Sequence, residues 1–285
     1  MRVGLGCYRL DLISAGELVK LARMAEDSGF DSIWLAEERG SAAGGGGLAA
    51  AAWLSHHTCL AIGVRVQSDL YHPLHLAEDI AVADLCCRGR LEVGLVRGSR
   101  AARRRHQVTG SASRWAEQVG LLAEALSGRA LGWRSAHYRV PAGLADNQNA
   151  DSLVQLAPRP AQARVPMWLV SPPRTLLALA RRRGMAVMLP WPGGPLPDRR
   201  ASNTGMNAVM CGPELDFVEL GKIRSAGVDY VLINLTDMSQ IAERGKLLAA
   251  GARTANLPNW VEAEFADASL PTTAATHPWL PGEVV

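Results

Sequence analysis

Short apolar runs and longer amphipathic segments alternate along most of the chain. Runs of four to seven apolar residues are typical of buried strands, and apolar positions that recur every three or four residues indicate helices. The pattern predicts eight strands, at residues 2–7, 31–36, 60–66, 91–95, 167–170, 186–189, 207–211 and 230–234. Because helical segments separate most consecutive strands, we expect the strands to run parallel.

Start and stop signals bound several of the predicted helices. Ser14 and Glu17 have the spacing of a capping box, Pro73 stands at a first helical position, and Gly184 follows the end of another helical segment. Helices are expected at about residues 14–25, 48–54, 73–85, 113–126, 173–183, 213–226 and 238–250. A hairpin around residues 138–140 and 153–156 is expected within the long connection before the fifth strand.

This alternation fits a closed (β/α)8 barrel of the TIM type or an open, doubly wound sheet. No Gly-x-Gly-x-x-Gly follows the first strand, which weighs against the open sheet. The sequence therefore predicts an α/β barrel over residues 1–250 and a C-terminal tail over 251–285. Residues 191–205, rich in proline and glycine, predict a loop in place of the helix after the sixth strand.

Composition excludes some classes of function. A net charge of +3, with 20% charged residues, argues against nucleic-acid or membrane-surface partners. The five cysteines form neither a disulfide pattern nor a metal-binding spacing, so no metal site is expected. No leader and no apolar run of about 18 residues is found, which predicts a cytoplasmic protein.

Residues 89–100 read as a turn, a buried strand and a basic loop that contains glycine. An arginine directly after a buried strand, here Arg97, is suited to bind an anion. Arg100 and residues 103–105 are interpreted as a solvated surface. Arg65, within the third strand, has two readings that the alternation leaves open: it faces an anionic ligand inside the barrel, or it points outward between helices.

Several segments in order resemble bacterial luciferase and the wider luciferase-like flavin monooxygenases. The match extends over about residues 1–250, and no single motif in it is specific. The matching segments are 29–37 (GFDSIWLAE), 72–73 (HP), 77–79 (AED), 89–91 (GRL), 96–98 (VRG), 184–191 (GMAVMLPW), 211–214 (CGPE) and 226–229 (AGVD).

The resemblance implies a barrel that holds reduced FMN, or a deazaflavin, at the carboxyl ends of its strands. It implies that Arg97 binds the cofactor phosphate, together with Ser171 and Thr175 at the start of the helix after the fifth strand. A helix N-terminus supports that second assignment independently, because it offers free N–H groups. Ser99, Trp191 and Glu37 complete the predicted cofactor site, with Trp191 beside the flavin ring.

Departures from the family pattern affect the catalytic assignment. Glu38 stands where luciferase has a histidine, and Val96 where it has a reactive cysteine. Pro172 and Pro173 replace a turn that is usually rich in glycine and serine, and they remove two N–H donors. Glu38 and His72, both placed at the carboxyl ends of strands, are the candidate catalytic residues.

Three hypotheses follow. The first is an FMN-dependent monooxygenase that acts on a small organic substrate, receives reduced flavin from a separate reductase, and forms the homodimer that the resemblance implies. The second is a deazaflavin-dependent reductase, which would not need the missing histidine and cysteine. The third is a barrel that binds a flavin or a product without monooxygenase activity.

Overall fold

The structure is a computed structural model, and it describes residues 1–9, 13–37, 46–140, 155–183, 185–191, 207–212 and 215–234, together with Ile241 and Gly245. All of these belong to one compact unit, Met1–Ala252. Glu38, the predicted tail 251–285, most of the predicted helix 238–250 and nearly all of the predicted loop 191–205 lie outside the described residues.

Eight parallel strands close into a barrel, which confirms the predicted fold. Around the barrel the order is β1-β2-β3-β4-β7-β8-β9-β10, and β10 pairs with β1. The two remaining strands form a separate antiparallel hairpin. The strands are β1 (Arg2–Arg9), β2 (Ser32–Ala36), β3 (Ala61–Gln67), β4 (Leu91–Val96), β5 (Trp133–Arg134), β6 (Arg139–Val140), β7 (Met167–Val170), β8 (Ala186–Pro190), β9 (Asn207–Cys211) and β10 (Tyr230–Ile233).

Along the chain, helices alternate with most of the barrel strands, and polar side chains cap several of the helix N-termini. The predicted capping box of Ser14 and Glu17 is present. A 3-10 turn, Ser68–Leu70, follows β3. The helices are α1 (Ala15–Asp27), α2 (Gly47–Leu54), α3 (Pro73–Cys86), α4 (Arg100–Arg105), α5 (Ala112–Ala125), α6 (Arg174–Arg183) and α7 (Phe217–Ser225).

Two local predictions are wrong. The arginine-rich segment is the helix α4 and not a loop, because Ser99 caps it by accepting a hydrogen bond from the Ala102 N–H at 3.1 Å. In the hairpin, Arg139–Val140 pairs with Trp133–Arg134. Of the predicted partner segment 153–156, only Gln155 and Leu156 are described, and neither belongs to a strand. The tight connection between β5 and β6 brings these two strands together locally, which hydrophobicity alone did not reveal.

The barrel interior contains an apolar cluster distinct from the larger core between strands and helices. Alternate residues of each strand face inward. Trp34 of β2 lies in register with Gly63 of β3, and Trp168 of β7 with Gly94 of β4. The interior cluster comprises Trp34, Trp168, Val170, Ala186, Met188, Ala208, Tyr230 and Leu232.

Trp34 depends on two glycines in the neighbouring strands. A Cβ at Gly63 would overlap the Trp34 indole, and a Cβ at Gly94 would lie 2.8 Å from its Cζ3 atom. The ring is fully buried, so it has little room to move aside. The glycines therefore provide the space that lets one indole fill the middle of the barrel.

The hydroxyl of Tyr230 ties this layer together. It accepts a hydrogen bond from Trp34 Nε1 at 2.7 Å and is hydrogen-bonded to Ser32 Oγ. The Tyr230 ring also contacts Trp168, with 5.4 Å between ring centroids. Burial raises the pKa of Tyr230 far above its ordinary value, so the phenol stays protonated.

An ion pair lies toward the amino end of the strands. Arg2 and Glu92 approach to 2.6 Å, and the Arg2 guanidinium lies 4.7 Å from the centre of the Tyr230 ring. Both side chains are largely buried, so each compensates the charge of the other. Toward the amino ends of the strands, the interior is thus occupied by side chains, and the charges of Arg2 and Glu92 neutralise each other.

Gly63→Ala should destabilise the barrel, because the new methyl group competes with Trp34 for the same space. We expect the free energy of unfolding, measured with urea, to fall by about 1–3 kcal/mol, as for other overpacked cores. Gly221→Ala is the matched control, because Gly221 lies within α7 with no atom near its Cβ position. The control should stabilise the protein by up to about 1 kcal/mol. Equal stability of Gly63→Ala and wild type would show that Trp34 does not fill this space.

Candidate active site

The interior becomes accessible toward the carboxyl ends of the strands. Trp34 and Trp168 are buried, whereas Arg65, Gln67 and Val96, farther along β3 and β4, are only half-buried. In barrels of this kind the carboxyl ends carry the functional residues. We call this upper part of the interior the mouth of the barrel.

Arg65 faces into the mouth, which settles the question that the sequence left open. It lies in register with Ala36 on one side and Gly94 on the other. The Cβ position of Gly94 is 3.4 Å from Arg65 Cγ and 2.8 Å from the Trp34 ring. Arg65 therefore stands on the same inner face as Trp34, one step nearer the carboxyl ends.

The guanidinium of Arg65 has no protein partner within the described residues. Its Nε atom is buried without a hydrogen bond, and no carboxylate pairs with it. The next inward residue, Gln67, donates a long hydrogen bond of 3.5 Å to the Glu37 carbonyl. Its buried Oε1 atom accepts none from that same part of the chain. Among the residues that the structure describes, the mouth therefore contains a guanidinium Nε, of Arg65, and an amide oxygen, of Gln67, that lack hydrogen-bond partners.

Arg97, the predicted phosphate ligand, follows β4 and is held on the side of β3. Its Nη2 donates to the Gly110 carbonyl at 2.8 Å, and its Nε lies 3.8 Å from Asp69 Oδ2. The side chain is 28% exposed, and no described residue accepts a hydrogen bond from Nη1. The protein thus holds the Arg97 side chain in place, and its Nη1 group remains able to donate a hydrogen bond to a ligand.

Asp69, which sequence reasoning missed, organises this rim. Its Oδ1 accepts a hydrogen bond from the Gly98 N–H at 2.6 Å, and its Oδ2 lies 3.9 Å from Arg103 Nε as well as near Arg97. Burial raises the pKa of Asp69, although the Gly98 N–H and the two arginines act in the opposite direction. Its position at the carboxyl end of the third strand was the available signal in the sequence.

Ser171 lies at the neighbouring strand end. Since Leu95 of β4 is in register with Leu169 of β7, Arg97 and Ser171 are each two residues beyond that pair, at the same edge. Ser171 has a φ of 47°, an unfavourable left-handed conformation that costs about 1–2 kcal/mol for a residue with a Cβ. Its N–H is used, because it donates to the Met188 carbonyl at 2.9 Å. Its hydroxyl is at an exposed position.

Helix α6 begins at this edge. Thr175 is its second residue, and the structure describes only the backbone there. Pro172 and Pro173 contribute no N–H, and the Leu176 N–H donates to the Pro173 carbonyl at 2.9 Å, so the donors left in the first turn of α6 are the N–H groups of Arg174 and Thr175. The two prolines shift the predicted anion-binding donors into the helix but do not remove them.

The residues at this edge fit a phosphate group. A guanidinium with an available edge and the N-terminus of a ten-residue helix stand on adjacent strand ends. The fit has one opposing feature: the Asp69 carboxylate lies close to Arg97 and would repel an anion. These residues therefore allow a flavin phosphate, with Asp69 weakening the attraction.

Ser99 and Glu37 are engaged elsewhere in the structure. The Ser99 hydroxyl caps α4, as described above. Glu37 is buried and accepts a hydrogen bond from the Tyr71 hydroxyl at 2.5 Å. Since Ala36 faces the interior with Arg65, the next side chain, Glu37, lies on the outer side, against the start of α2 at Gly47.

His72 lines a separate cavity outside the barrel. It caps α3 through Nδ1, which accepts from the Leu74 N–H at 3.4 Å. Burial lowers the pKa of His72, and His75 and Arg114 nearby lower it further, so the ring is neutral near pH 7. We call this space, of about 240 Å³, the outer cavity; it is lined by Asp69, Leu70, Tyr71, His72, Gln107, Val108, Thr109, Arg114 and Tyr138.

Trp191 packs on the outside of the barrel. Its indole Nε1 donates to Glu219 Oε1 of α7 at 3.2 Å, and its backbone N–H donates to the Met210 carbonyl at 2.9 Å. The ring contacts the core between strands and helices and is half-buried. The structure thus brings Arg97 and Ser171 to one edge, but it does not bring His72 or Trp191 into the mouth.

The described residues were also searched for metal sites and for membrane-spanning helices. No group of three or more histidine, cysteine, aspartate or glutamate side chains among them is arranged to bind a metal ion. No helix in the same part of the chain is both long and apolar enough to cross a membrane.

Asp69→Asn should stabilise the protein at neutral pH. Because the pKa of Asp69 is raised in the folded state, folding favours its protonated form, and the contribution of Asp69 to stability falls as the pH rises through the folded pKa. Asparagine stays neutral and keeps an acceptor for Gly98. We expect the free energy of unfolding of the variant to exceed that of wild type at pH 7 and the difference to shrink toward about pH 4.

Urea unfolding at a series of pH values measures this difference. Asp79→Asn, at an exposed position of α3, controls for the loss of one negative charge. A loss of more than about 1 kcal/mol in Asp69→Asn at pH 7 would contradict the prediction, since it would mean that the two arginines need the Asp69 charge more than burial opposes it.

Comparison with known proteins agrees with this geometry. The model of the luciferase-like monooxygenase family matches residues 4–206, more than half of the chain. A search among the curated proteins found none that matches.

Solved structures of low sequence identity share the fold. The monooxygenase RslO1 from Streptomyces bottropensis is 16% identical, with a TM-score of 0.69 over 90% of this chain and 100% of that one. The coenzyme F420-dependent tetrahydromethanopterin reductase from Methanopyrus kandleri is 13% identical, with a TM-score of 0.64 over 86% and 97%. The oxygenating constituent of 3,6-diketocamphane monooxygenase from Pseudomonas putida, in complex with FMN, is 17% identical, with a TM-score of 0.53 over 74% and 66%. The family match and the closed parallel barrel together establish that this chain belongs to the luciferase-like monooxygenase family.

Proposed function

We propose that the chain is a flavin-dependent oxidoreductase of the monooxygenase type, which uses reduced FMN to oxidise a small organic substrate in the mouth of the barrel. The observation that carries the proposal is the pairing of Arg97 with the N-terminus of α6 on adjacent strand ends, beside a half-buried mouth. Such a pairing suits a phosphate at the rim with an apolar ring extending inward.

Several residues at and behind the strand ends have proposed roles in holding the cofactor. Arg97 and the first turn of α6, with the Ser171 hydroxyl and Thr175, bind the phosphate. Ser99 lies next to Arg97, where it positions α4. Trp191 and Glu37 act from behind the strands, through their hydrogen bonds to Glu219 and Tyr71, by fixing the strand ends that border the mouth.

The floor of the mouth is proposed to exclude water from below. Trp34 and Trp168 close the barrel under it, and the Tyr230 hydroxyl holds Trp34 in place. A dry site strengthens the interactions of charged groups with a bound ligand. Reduced FMN, when bound, supplies the electrons and activates dioxygen.

Proton transfer in the mouth is assigned to Glu38, and the proposed proton-accepting role of His72 applies to the outer cavity. Glu38 follows the last inward position of β2 along the chain and lies outside the described residues. His72, neutral near pH 7, can accept a proton from a group that occupies the outer cavity. A separate flavin reductase, a homodimeric assembly and a cytoplasmic location belong to the same proposal.

A deazaflavin is the second candidate cofactor. Helix α4 places four arginines, Arg100 and residues 103–105, directly after Arg97, and three of these are exposed. An extended anionic cofactor tail would find more positive charge there than FMN requires. The M. kandleri neighbour, by its name, depends on coenzyme F420.

Arg97→Ala should weaken cofactor binding by roughly 1.5–3 kcal/mol, the range for a charged hydrogen bond, which raises the dissociation constant about 10–150-fold. Arg104→Ala, at an exposed position of α4, removes the same charge away from the strand end and is the matched control. Its effect on FMN should stay within about threefold. Fluorescence titration with oxidised FMN, and anaerobic titration with reduced FMN, measure both variants.

The same titrations discriminate the candidates. Tighter binding of coenzyme F420 than of FMN, with both Arg97→Ala and Arg104→Ala weakening it, would favour the deazaflavin. Absence of binding of either cofactor at about 50 μM, a concentration that detects micromolar affinity, would contradict a flavin-dependent function. Binding without oxidation of any organic substrate would support the third hypothesis, a barrel without monooxygenase activity.

A further inference from the structure

We propose that Arg65 makes the mouth of the barrel a recognition site for an organic anion, so that the substrate is a planar organic acid whose carboxylate binds the Arg65 guanidinium. This inference rests on the proposed function in taking the mouth as the substrate site, and it adds the substrate class.

The Arg65 side chain points into the barrel. Arg65 is in register with the inward-facing Gly94, and its Cγ lies 3.4 Å from the Cβ position of that glycine. Three apolar residues of the same strand, Ile62, Val64 and Val66, are buried on the opposite face, in the core beneath the helices. The guanidinium therefore belongs to the mouth and not to the surface of the barrel.

The charged side chains around Arg65 are paired with one another. Arg2 and Glu92, which are also charged and lie inside the barrel, form an ion pair in which their side chains approach to 2.6 Å. The Asp69 carboxylate at the rim is matched by Arg97 and Arg103. Among the described residues, no carboxylate is paired with Arg65. Within the described part of the chain, the positive charge of Arg65 therefore has no counter-ion in the mouth.

The charge of Arg65 is unfavourable in these surroundings. Arg65 is half-buried, and its Nε is fully shielded from solvent without a hydrogen bond. A buried donor that loses water and gains no partner is unfavourable, and more so when it is charged. A ligand carboxylate would recover this loss through two parallel N–H···O bonds, the geometry that the guanidinium fork favours.

The surroundings indicate the shape of the ligand. Beside Arg65 the floor is bordered by the edge of the Trp34 indole, whose Cζ3 atom lies 2.8 Å from the Gly94 Cβ position. An aromatic edge favours the face of a second, planar ring. The Gln67 Oε1 atom, one inward position above Arg65, is buried and accepts no hydrogen bond from the described residues. A planar acid with a hydroxyl donor on its ring would satisfy the guanidinium, the indole and this oxygen together.

The test uses benzoate as the probe and benzamide, its neutral isostere, as the ligand control, with the full-length chain in isothermal titration calorimetry. We expect benzoate to bind wild type more tightly than benzamide. Arg65→Met should raise the benzoate dissociation constant at least about tenfold and leave benzamide unchanged. For Arg65→Lys, the benzoate dissociation constant should lie between those of wild type and Arg65→Met, because lysine keeps the positive charge and lacks the guanidinium fork. Arg104→Met controls for the loss of a positive charge elsewhere.

A second probe, 3-hydroxybenzoate, tests the role of Gln67. It should bind wild type more tightly than benzoate, and Gln67→Leu should remove that advantage without changing the affinity for benzoate. Should Arg65→Met fail to fold, Arg65→Lys and the comparison of benzoate with benzamide on wild type still decide the matter.

The remaining outcomes are unambiguous. Equal binding of benzoate and benzamide, no benzoate binding at about 10 mM, or an unchanged benzoate affinity in Arg65→Met would each overturn the inference. If Arg65→Met weakened binding of reduced FMN and left benzoate unchanged, the cation would serve the cofactor, and the substrate assignment would be wrong. If benzoate binding depended on Arg65 while FMN failed to bind, the anion site would stand and the flavin proposal would fall.

Discussion

The packing of Trp34 in the middle of the barrel is the constraint on which the rest of the structure depends. An indole of this size fits only because Gly63 and Gly94 in the adjacent strands have no side chains. Its Nε1 is satisfied by the hydroxyl of Tyr230, whose ring lies against Trp168. Three aromatic rings from three strands thereby close the interior at mid-height. Above them Arg65 and Gln67 are half-buried, and below them Arg2 and Glu92 are largely buried.

The charged side chains differ between the two sides of the aromatic layer. Below the aromatic layer, Arg2 and Glu92 neutralise each other, as buried charges must. At the rim, Asp69 holds Arg97 and Arg103, so part of the positive charge there is already balanced. Between these levels, Arg65 faces the mouth with no described counter-ion. A cation left uncompensated inside a barrel is unfavourable for folding alone, and it is explained most simply by a ligand that brings the opposite charge.

Hydrophobic periodicity predicted the eight strands and most of the helices, because each barrel strand is buried on both faces and each helix on one. The same double burial hid the direction of Arg65: with apolar neighbours at Val64 and Val66, alternation could not tell inside from outside. The helix α4 was missed because its only apolar anchor is Ala102 and its formation depends on the Ser99 cap. Asp69 was missed because its role arises from Gly98 and Arg97, which approach it only in the closed barrel.

In the proposed site the aromatic layer forms the floor, and the anion-binding groups are Arg97 at the rim and Arg65 within the mouth. A crystal structure of the protein with FMN and 3-hydroxybenzoate tests this arrangement. We expect the phosphate between Arg97 and the start of α6, the flavin ring above Trp34, and the carboxylate on the Arg65 guanidinium. Density for the flavin in the outer cavity beside His72 and Tyr138, with the mouth empty, would contradict it.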